Sequence, residues 1–287
     1  MNIFSEESVI RFSNIDQSDT LTMASTFDLF QEAAMNHAEI LGVGREAMMQ
    51  SGNVWILSRL SVFMTRRPRF REKIVIRTWP RNANKLFAVR DYDIHYSSDN
   101  SGIQGGLGHD TALVQGRSGW LVVDIEKRRP LRPQAAVENL PPNEGINALP
   151  GENLAGNDPP PSLAVRDFSA AGHILRRACY SDIDYNGHVN NARYIQWIQD
   201  LLDPVILDNA KQIRLDINYL AEVLYDEIIG LFLLPIETEN VPDDSPLCGQ
   251  TPRPCTAAFA IEGRRFLEAR QDPEEAIPVF RAELRTG

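Results

Sequence analysis

Apolar residues at helical spacing run from about residue 24 to 41, where Phe27, Phe30, Ala34, Ala38 and Leu41 share a face and Gly42 supplies a stop. A second stretch, about 190 to 207, is apolar nearly all round through Tyr194, Ile195, Trp197, Ile198, Leu201, Leu202 and Val205, with Asn190 or Asn191 as its cap. A helix of that kind is expected to be wrapped by other structure. Each is preceded by one strand-like segment (9–12 and 174–180) and followed by four: 54–65, 74–79, 86–96 and 111–124 after the first, 213–220, 227–234, 256–262 and 277–284 after the second. One strand, a long buried helix, then four strands predicts an α+β fold in which an antiparallel sheet curls around its helix, made twice in tandem.

The duplication is visible in the letters as well. Residues 13–34 laid over 181–202 without a gap match at Ser13/Ser181, Ile15/Ile183, Asp16/Asp184, Ala24/Ala192 and Gln31/Gln199. Apolar character matches too, with Leu21 on Val189, Phe27 on Ile195, Leu29 on Trp197 and Phe30 on Ile198. The expected organisation is a first copy over 1–133, a Pro-rich linker over 134–164 and a second copy over 165–287. Pro130 to Ser162 holds eight of the chain's 18 prolines, which is why no element is expected there. Residues 99–110 and 239–254 read as long loops.

Composition narrows the function classes. At 287 residues, 43% apolar and 24% charged, the chain has material for a large core. Its formal charge of -10 disfavours nucleic acid and anionic membranes as partners. No apolar run approaches the ~20 residues a membrane helix needs, and the acidic start lacks the cationic and apolar segments of a secretory signal. Cys179, Cys248 and Cys255 have no C-x-x-C spacing and fit reduced thiols in a cytoplasmic protein.

Most catalytic signatures are missing. The stretch from Gly116 to Trp120 departs from a nucleophile elbow at its fifth position, the glycine-rich stretch 102–108 lacks the Lys-Ser/Thr of a phosphate loop, and His37, His95, His109, His173 and His188 form no metal-binding pattern. The informative segment runs from Asp184 to Tyr194, where a strand end passes through Gly187 into a helix. A helix N-terminus offers free amide donors and partial positive charge, which polarise a carbonyl aimed at them. If extended, the segment sets Asp184, Asn186 and His188 on one face: a carboxylate, an amide and an imidazole. Each alone has an ordinary reading, as a turn or cap hydrogen bond or a buried histidine; together at a strand-to-helix junction they describe a site. The first copy supplies a control. Asn186, Gly187 and His188 are matched there by Ser18, Asp19 and Thr20, so the architecture is repeated without the imidazole or the amide.

The run N-x-H-V-N-N-x-x-Y-I-x-W-I, Asn186 to Ile198, resembles the active-site segment of the acyl-acyl carrier protein thioesterases. The similarity extends over nearly the whole chain, through Trp55-Ile56-Leu57-Ser58-Arg59, Arg117-Ser118-Gly119-Trp120 and the segment from Asp124 to Pro130. It implies a double hot dog fold and hydrolysis of fatty acyl-acyl carrier protein to free fatty acid in fatty acid biosynthesis, with no metal or organic cofactor. It implies Asp184, Asn186, His188 and Glu222 as catalytic residues, and an acyl tail held in the first copy near Trp55, Phe63, Phe27 and Phe30. Plant members place a cysteine after that glutamate; here the residue is Val223, which excludes a thiol nucleophile there. Water activated by Glu222 or His188, and direct attack by Asp184 or Glu222, remain open. No plastid-type leader precedes the first strand, so a bacterial-type, cytoplasmic member is expected, acting as a monomeric pseudo-dimer or a homodimer.

The implied partner, acyl carrier protein, is acidic, as is this chain. A local basic patch is therefore expected, from Arg66, Arg67, Arg69, Arg71 and Lys73 or from Lys127, Arg128, Arg129 and Arg132. Coenzyme A esters are the alternative substrate, and a non-catalytic acyl-binding module is the rival of another class.

Overall fold

The computed structural model describes residues 2–81, 83, 85–98, 111–136, 140–141, 143, 146–149, 158–236, 257–267 and 272–287. Cys248, Cys255, His109, the glycine-rich stretch and the two long loops lie outside the described residues. Cys179 is exposed, with a free thiol.

The first copy contributes β1 (Phe4–Val9), α1 (Met23–Ile40), α2 (Arg45–Gln50), β2 (Asn53–Met64), β3 (Lys73–Pro80), β4 (Phe87–Tyr96), β5 (Val114–Asp124), β6 (Arg129–Leu131) and the short α3 (Pro133–Ala136). The second contributes β7 (His173–Arg177), α4 (Asn191–Asp200), α5 (Pro204–Asp208), β8 (Ile213–Tyr219), β9 (Ile228–Pro235), β10 (Ala258–Phe266) and β11 (Ile277–Thr286). All pair antiparallel in a single sheet, ordered β1-β3-β4-β5-β2-β8-β11-β10-β9-β7, with β6 beside β5. The order reads the same from either end, so a pseudo-dyad passes between β2 and β8. There Arg59 to Met64 pair with Asn218 to Ile213, and the Ser61 hydroxyl donates to Asp216 across the seam.

Both long helices lie on one side of this sheet and pack against each other. The Thr22 hydroxyl caps α1 by accepting from the Ser25 amide at 3.0 Å, and Gly42, at φ +70°, ends it in a conformation costly for other residues. The buried face of α1 carries Phe27, Phe30, Ala33, Ala34 and His37. Phe30 stacks on Tyr92 at 4.7 Å and lies so close over Gly116 that a Cβ there would sit 2.6 Å from its ring. Phe27, Phe30, Leu60, Trp197, Ile198 and Phe280 join one core cluster that crosses the dyad, as expected of facing apolar layers.

Four features differ from the pattern-based reading. The first strand is residues 4–9 rather than 9–12, because its alternating exposure lets it pair with β3 at the sheet edge while residues 12–14 form a 3-10 turn. The second helix is not continuous over 190–207. It ends at Asp200 and resumes at Pro204, since a residue before proline is driven out of helical geometry and Asp203 instead caps the Val205 amide. The short elements α2, α3 and β6 were not anticipated, having too few residues for a period. The stretch 184–188, read as extended, is a closed turn.

The Pro-rich segment, where described, is not a loose tether. Pro159 and Pro160 lie against Gly119, the Arg59 guanidinium donates to the Pro160 carbonyl at 3.1 Å, and Asn218 holds both the Leu163 amide (2.8 Å) and the Pro161 carbonyl (2.9 Å). Beneath it the fully buried Arg117 forms a two-pronged pair with Asp91 at 2.6 and 2.8 Å, and Asp91 also faces Arg81 and the Ala148 amide. Asp91→Asn leaves two buried guanidiniums without their carboxylate and is expected to lower the unfolding free energy by roughly 3–5 kcal/mol, read as a fall in the urea midpoint.

Candidate active site

A shift of 168 residues carries one helix entrance onto the other. The bridges Ile15 to Leu21 and Ile183 to Val189 correspond, as do the 3-10 turns Phe12–Asn14 and Tyr180–Asp182. Inside each loop an aspartate folds back on the chain: Asp16 Oδ1 accepts from the Ser18 amide at 3.0 Å and Asp184 Oδ1 from the Asn186 amide at 2.8 Å. The turn then needs a positive φ. The first copy strains Asp19 to +59°, whereas the second uses Gly187 at +83°, which has no Cβ to oppose it. The Asp184 amide closes the loop on the His188 carbonyl at 2.8 Å.

Each loop then bridges to the chain that follows the dyad strand, Thr20 to Arg69 and His188 to Leu224. The Leu21 amide reaches the Pro68 carbonyl and the Val189 amide the Val223 carbonyl, both at 2.8 Å. Glu222 in the second copy therefore stands where the first copy has Arg67. His188 Nε2 lies 3.2 Å from Glu222 Oε2, with side chains 35% and 60% exposed. In the first copy Thr20 replaces the imidazole, and Arg67 closes the position by binding Asp16 at 2.8 Å and the Leu207 carbonyl at 2.9 Å. Arg67 is thus a largely enclosed tie rather than part of a free basic patch. Of the other candidates for that patch, Lys127 pairs with Asp124 at 3.0 Å and Arg66 lies over the Tyr96 ring.

His188, Glu222, Asp184 and Asn186 border a cavity of about 770 Å³, within the range of small-molecule sites. Most of its other walls come from the first copy, among them Ala34, Met35 and Ala38 on α1, Met48 on α2, and Trp55 and Leu57 on β2. Trp55 is anchored there by donating to the Val43 carbonyl at 2.9 Å. Phe27 and Phe30 are buried in the core cluster, and they and Phe63 are not among the lining residues. Asn186 donates its side-chain amide to Asp184 at 3.3 Å, so in this state the two serve the turn. At the α4 entrance the Asn190 side chain takes the Ala192 amide at 2.8 Å. Tyr194 is buried beside them; loss of solvation and the Glu222 charge raise its phenol well above the usual value and keep it protonated.

Two sequence models match the chain: the acyl-ACP thioesterase N-terminal domain over residues 1–137 and the acyl-ACP thioesterase C-terminal domain over 174–241. The chain belongs to the acyl-ACP thioesterase family. It is 25% identical over 239 residues to oleoyl-acyl carrier protein thioesterase 1 of Arabidopsis thaliana, and 26% identical over 240 to a palmitoyl-acyl carrier protein thioesterase of Gossypium hirsutum. Each match covers 79% of this chain but only 62% and 54% of those relatives' lengths. An acyl-ACP thioesterase from Bacteroides thetaiotaomicron superposes with TM-score 0.69 at 22% identity, covering 99% of this chain and 97% of the other. The 12:0-ACP thioesterase of Umbellularia californica superposes with TM-score 0.68 at 15% identity, covering 99% and 96%. The tandem sheet is thus a double hot dog. No helix among the described residues is long and apolar enough to cross a membrane.

The cavity also has a polar wall that pattern reading missed. Arg90 lines it, donating to His37 Nδ1 at 3.1 Å and to the Thr78 hydroxyl at 3.2 Å. Helical spacing offered one signal for the lining, since Gln31, Ala34, Met35 and Ala38 recur at i, i+3, i+4 and i+7. Nothing marked Arg90, which looks like any strand cation until the sheet buries it. His37 is 1% exposed, and burial with the adjacent Arg90 charge lowers its pKa from 6.5 to about 4. The unfolded chain therefore takes up this proton first. The neutral ring's contribution to stability is complete above about pH 6.5 and is lost as pH falls toward 4. His37→Gln should flatten that part of the profile, so that the gap between wild-type and variant urea midpoints narrows from pH 7 to pH 4.5.

Proposed function

We propose that this chain is a cytoplasmic hydrolase of fatty acyl-acyl carrier protein, cleaving the thioester to release free fatty acid. The observation that carries the reading is the His188–Glu222 pair, 3.2 Å apart on the border of a cavity walled mainly by the first copy. That arrangement suits a substrate with a reacting carbonyl at one end and an apolar chain behind it. Residues 165–287 bring the chemistry and residues 1–133 hold the tail, with 134–164 as the strap between them, so one chain acts as its own pair. The names of the curated relatives support a carrier-protein ester as substrate. Arg69, Arg128, Arg129 and Arg132 are exposed and available to meet an acidic carrier.

With Val223 beside Glu222 there is no thiol at that position to attack, and water is the nucleophile. Its oxygen bonds to the thioester carbon while one proton passes to the His188–Glu222 pair. The oxyanion faces the start of α4, where the helix dipole and Asn186, once it swings from Asp184, oppose the new charge. Collapse breaks the C–S bond, and the stored proton leaves with the sulfur. Asp184 holds the turn that presents Asn186 and His188. Arg265 donates to the Glu222 carbonyl at 3.4 Å and binds Glu227 at 3.2 Å, which fixes the loop carrying the acid.

Purified chain mixed with palmitoyl and octanoyl carrier protein, and with the matching coenzyme A esters, is expected to release thiol fastest from a carrier-protein ester. Faster coenzyme A turnover would reassign the substrate; tight binding without turnover on any ester would leave an acyl-binding module. His188→Ala and Glu222→Gln should each lower kcat by about 10²–10⁴-fold with unchanged circular dichroism. Thr20→Ala, at the matching place in the first copy, should stay within about twofold of wild type.

A further inference from the structure

The pseudo-dyad sets up a cross-over between the two helices that is completed on one side only. On the first side, the amide of Ala24, the second residue of α1, donates to Gln199 Oε1 on α4 at 2.9 Å. Thr22 caps one residue further on, at Ser25, and so leaves the Ala24 amide to a glutamine from the opposite copy. The repeat carries Ala24 onto Ala192 and Gln199 onto Gln31, so the mirrored bond would run from the Ala192 amide to Gln31.

It does not form. The Ala192 amide is taken by Asn190 Oδ1 at 2.8 Å, and Gln31 Oε1 is buried with no hydrogen-bond partner among the described residues. Gln31 instead lines the cavity together with His188, Asn191 and Glu222. A buried amide oxygen without a donor is unfavourable, and the same residue type in the same fold is fully used 168 positions later. The capping need at α4 has been met locally by Asn190, which frees the glutamine on the side where the acid and the imidazole stand.

We infer that Gln31 is a further site residue, contributed by the first copy, whose side-chain oxygen accepts a hydrogen bond from the attacking water. This rests on the thioester hydrolysis proposed above. The water then has two fixed directions, one proton toward Gln31 and the other toward the His188–Glu222 pair that removes it. Gln31 gains and loses no proton. It sets the angle at which the water oxygen meets the carbonyl carbon.

The test compares Gln31→Met with Gln199→Met, both unbranched changes that remove the amide. Gln31→Met is expected to lower kcat by about 10–100-fold with KM within about twofold, and to leave Tm equal to wild type or above it. Gln199→Met is expected to lower Tm by a few degrees through loss of the α1 cap and to keep kcat within about twofold. A wild-type chain inert on every ester overturns the functional reading and this inference together. With an active wild type, three results overturn this inference alone: unchanged kcat in Gln31→Met, a rise in KM without a fall in kcat, or a Tm loss like that of Gln199→Met.

Discussion

The antiparallel seam between β2 and β8 is the constraint on which the rest depends. Six consecutive rungs, Arg59–Asn218 to Met64–Ile213, lock two copies of one fold at a fixed rotation. Since strand register also decides which side chains face which way, the seam puts both long helices on one side of a continuous sheet and their entrances toward opposite copies. The first copy's α1 thereby becomes a wall of the second copy's loop. The cavity that His188 and Met35 both line draws its walls from both copies. The Pro-rich strap reinforces the same place, since Arg59 and Asn218, a paired rung of the seam, are the residues that hold Pro160, Pro161 and Leu163.

Within that frame the two copies diverge by few substitutions. Mapping α1 onto the second copy spans 191–208, the interval covered by α4, the break at Leu201 to Asp203, and α5. The break follows from one dipeptide, Asp203-Pro204. The unbroken α1 carries Ala34, Met35 and Ala38 along the cavity, at positions that map onto the break and α5 in the second copy. The α1 wall of the cavity and the His188–Glu222 pair thus come from different copies.

Much of this was legible from periodicity. The helix at 24–41, the strands at 54–65, 74–79 and 213–220 and the duplicated loop all follow from apolar spacing, which burial enforces residue by residue. His188 and Glu222 were nominated by motif and lie in contact. What spacing could not give is everything decided by pairing at a distance. The alternation at 4–9 is weak in hydrophobicity and becomes a strand only because β3 offers an open edge. Phe27 and Phe30 share a helix face with Ala34, yet the first two pack on the sheet and only the third meets the cavity. Arg67 reads as part of a surface basic patch and is instead a largely enclosed tie, because its partner Asp16 lies 51 residues away.

The charge reversal at one dyad-related position explains why the asymmetry requires both copies on one chain. A homodimer of identical halves carries the same residue at both such positions: two acids give two competing mouths, and two arginines give none. Fusing the copies makes the positions independent. Glu222 then keeps its acid beside the imidazole, while Arg67 uses its guanidinium to bind Asp16 and the Leu207 carbonyl and so shuts the other loop. The tie fixes the first-copy loop, and the exposed acid of the second copy borders the cavity. A fold with exact twofold symmetry could not separate these two demands, because each improvement for one loop would be imposed on the other.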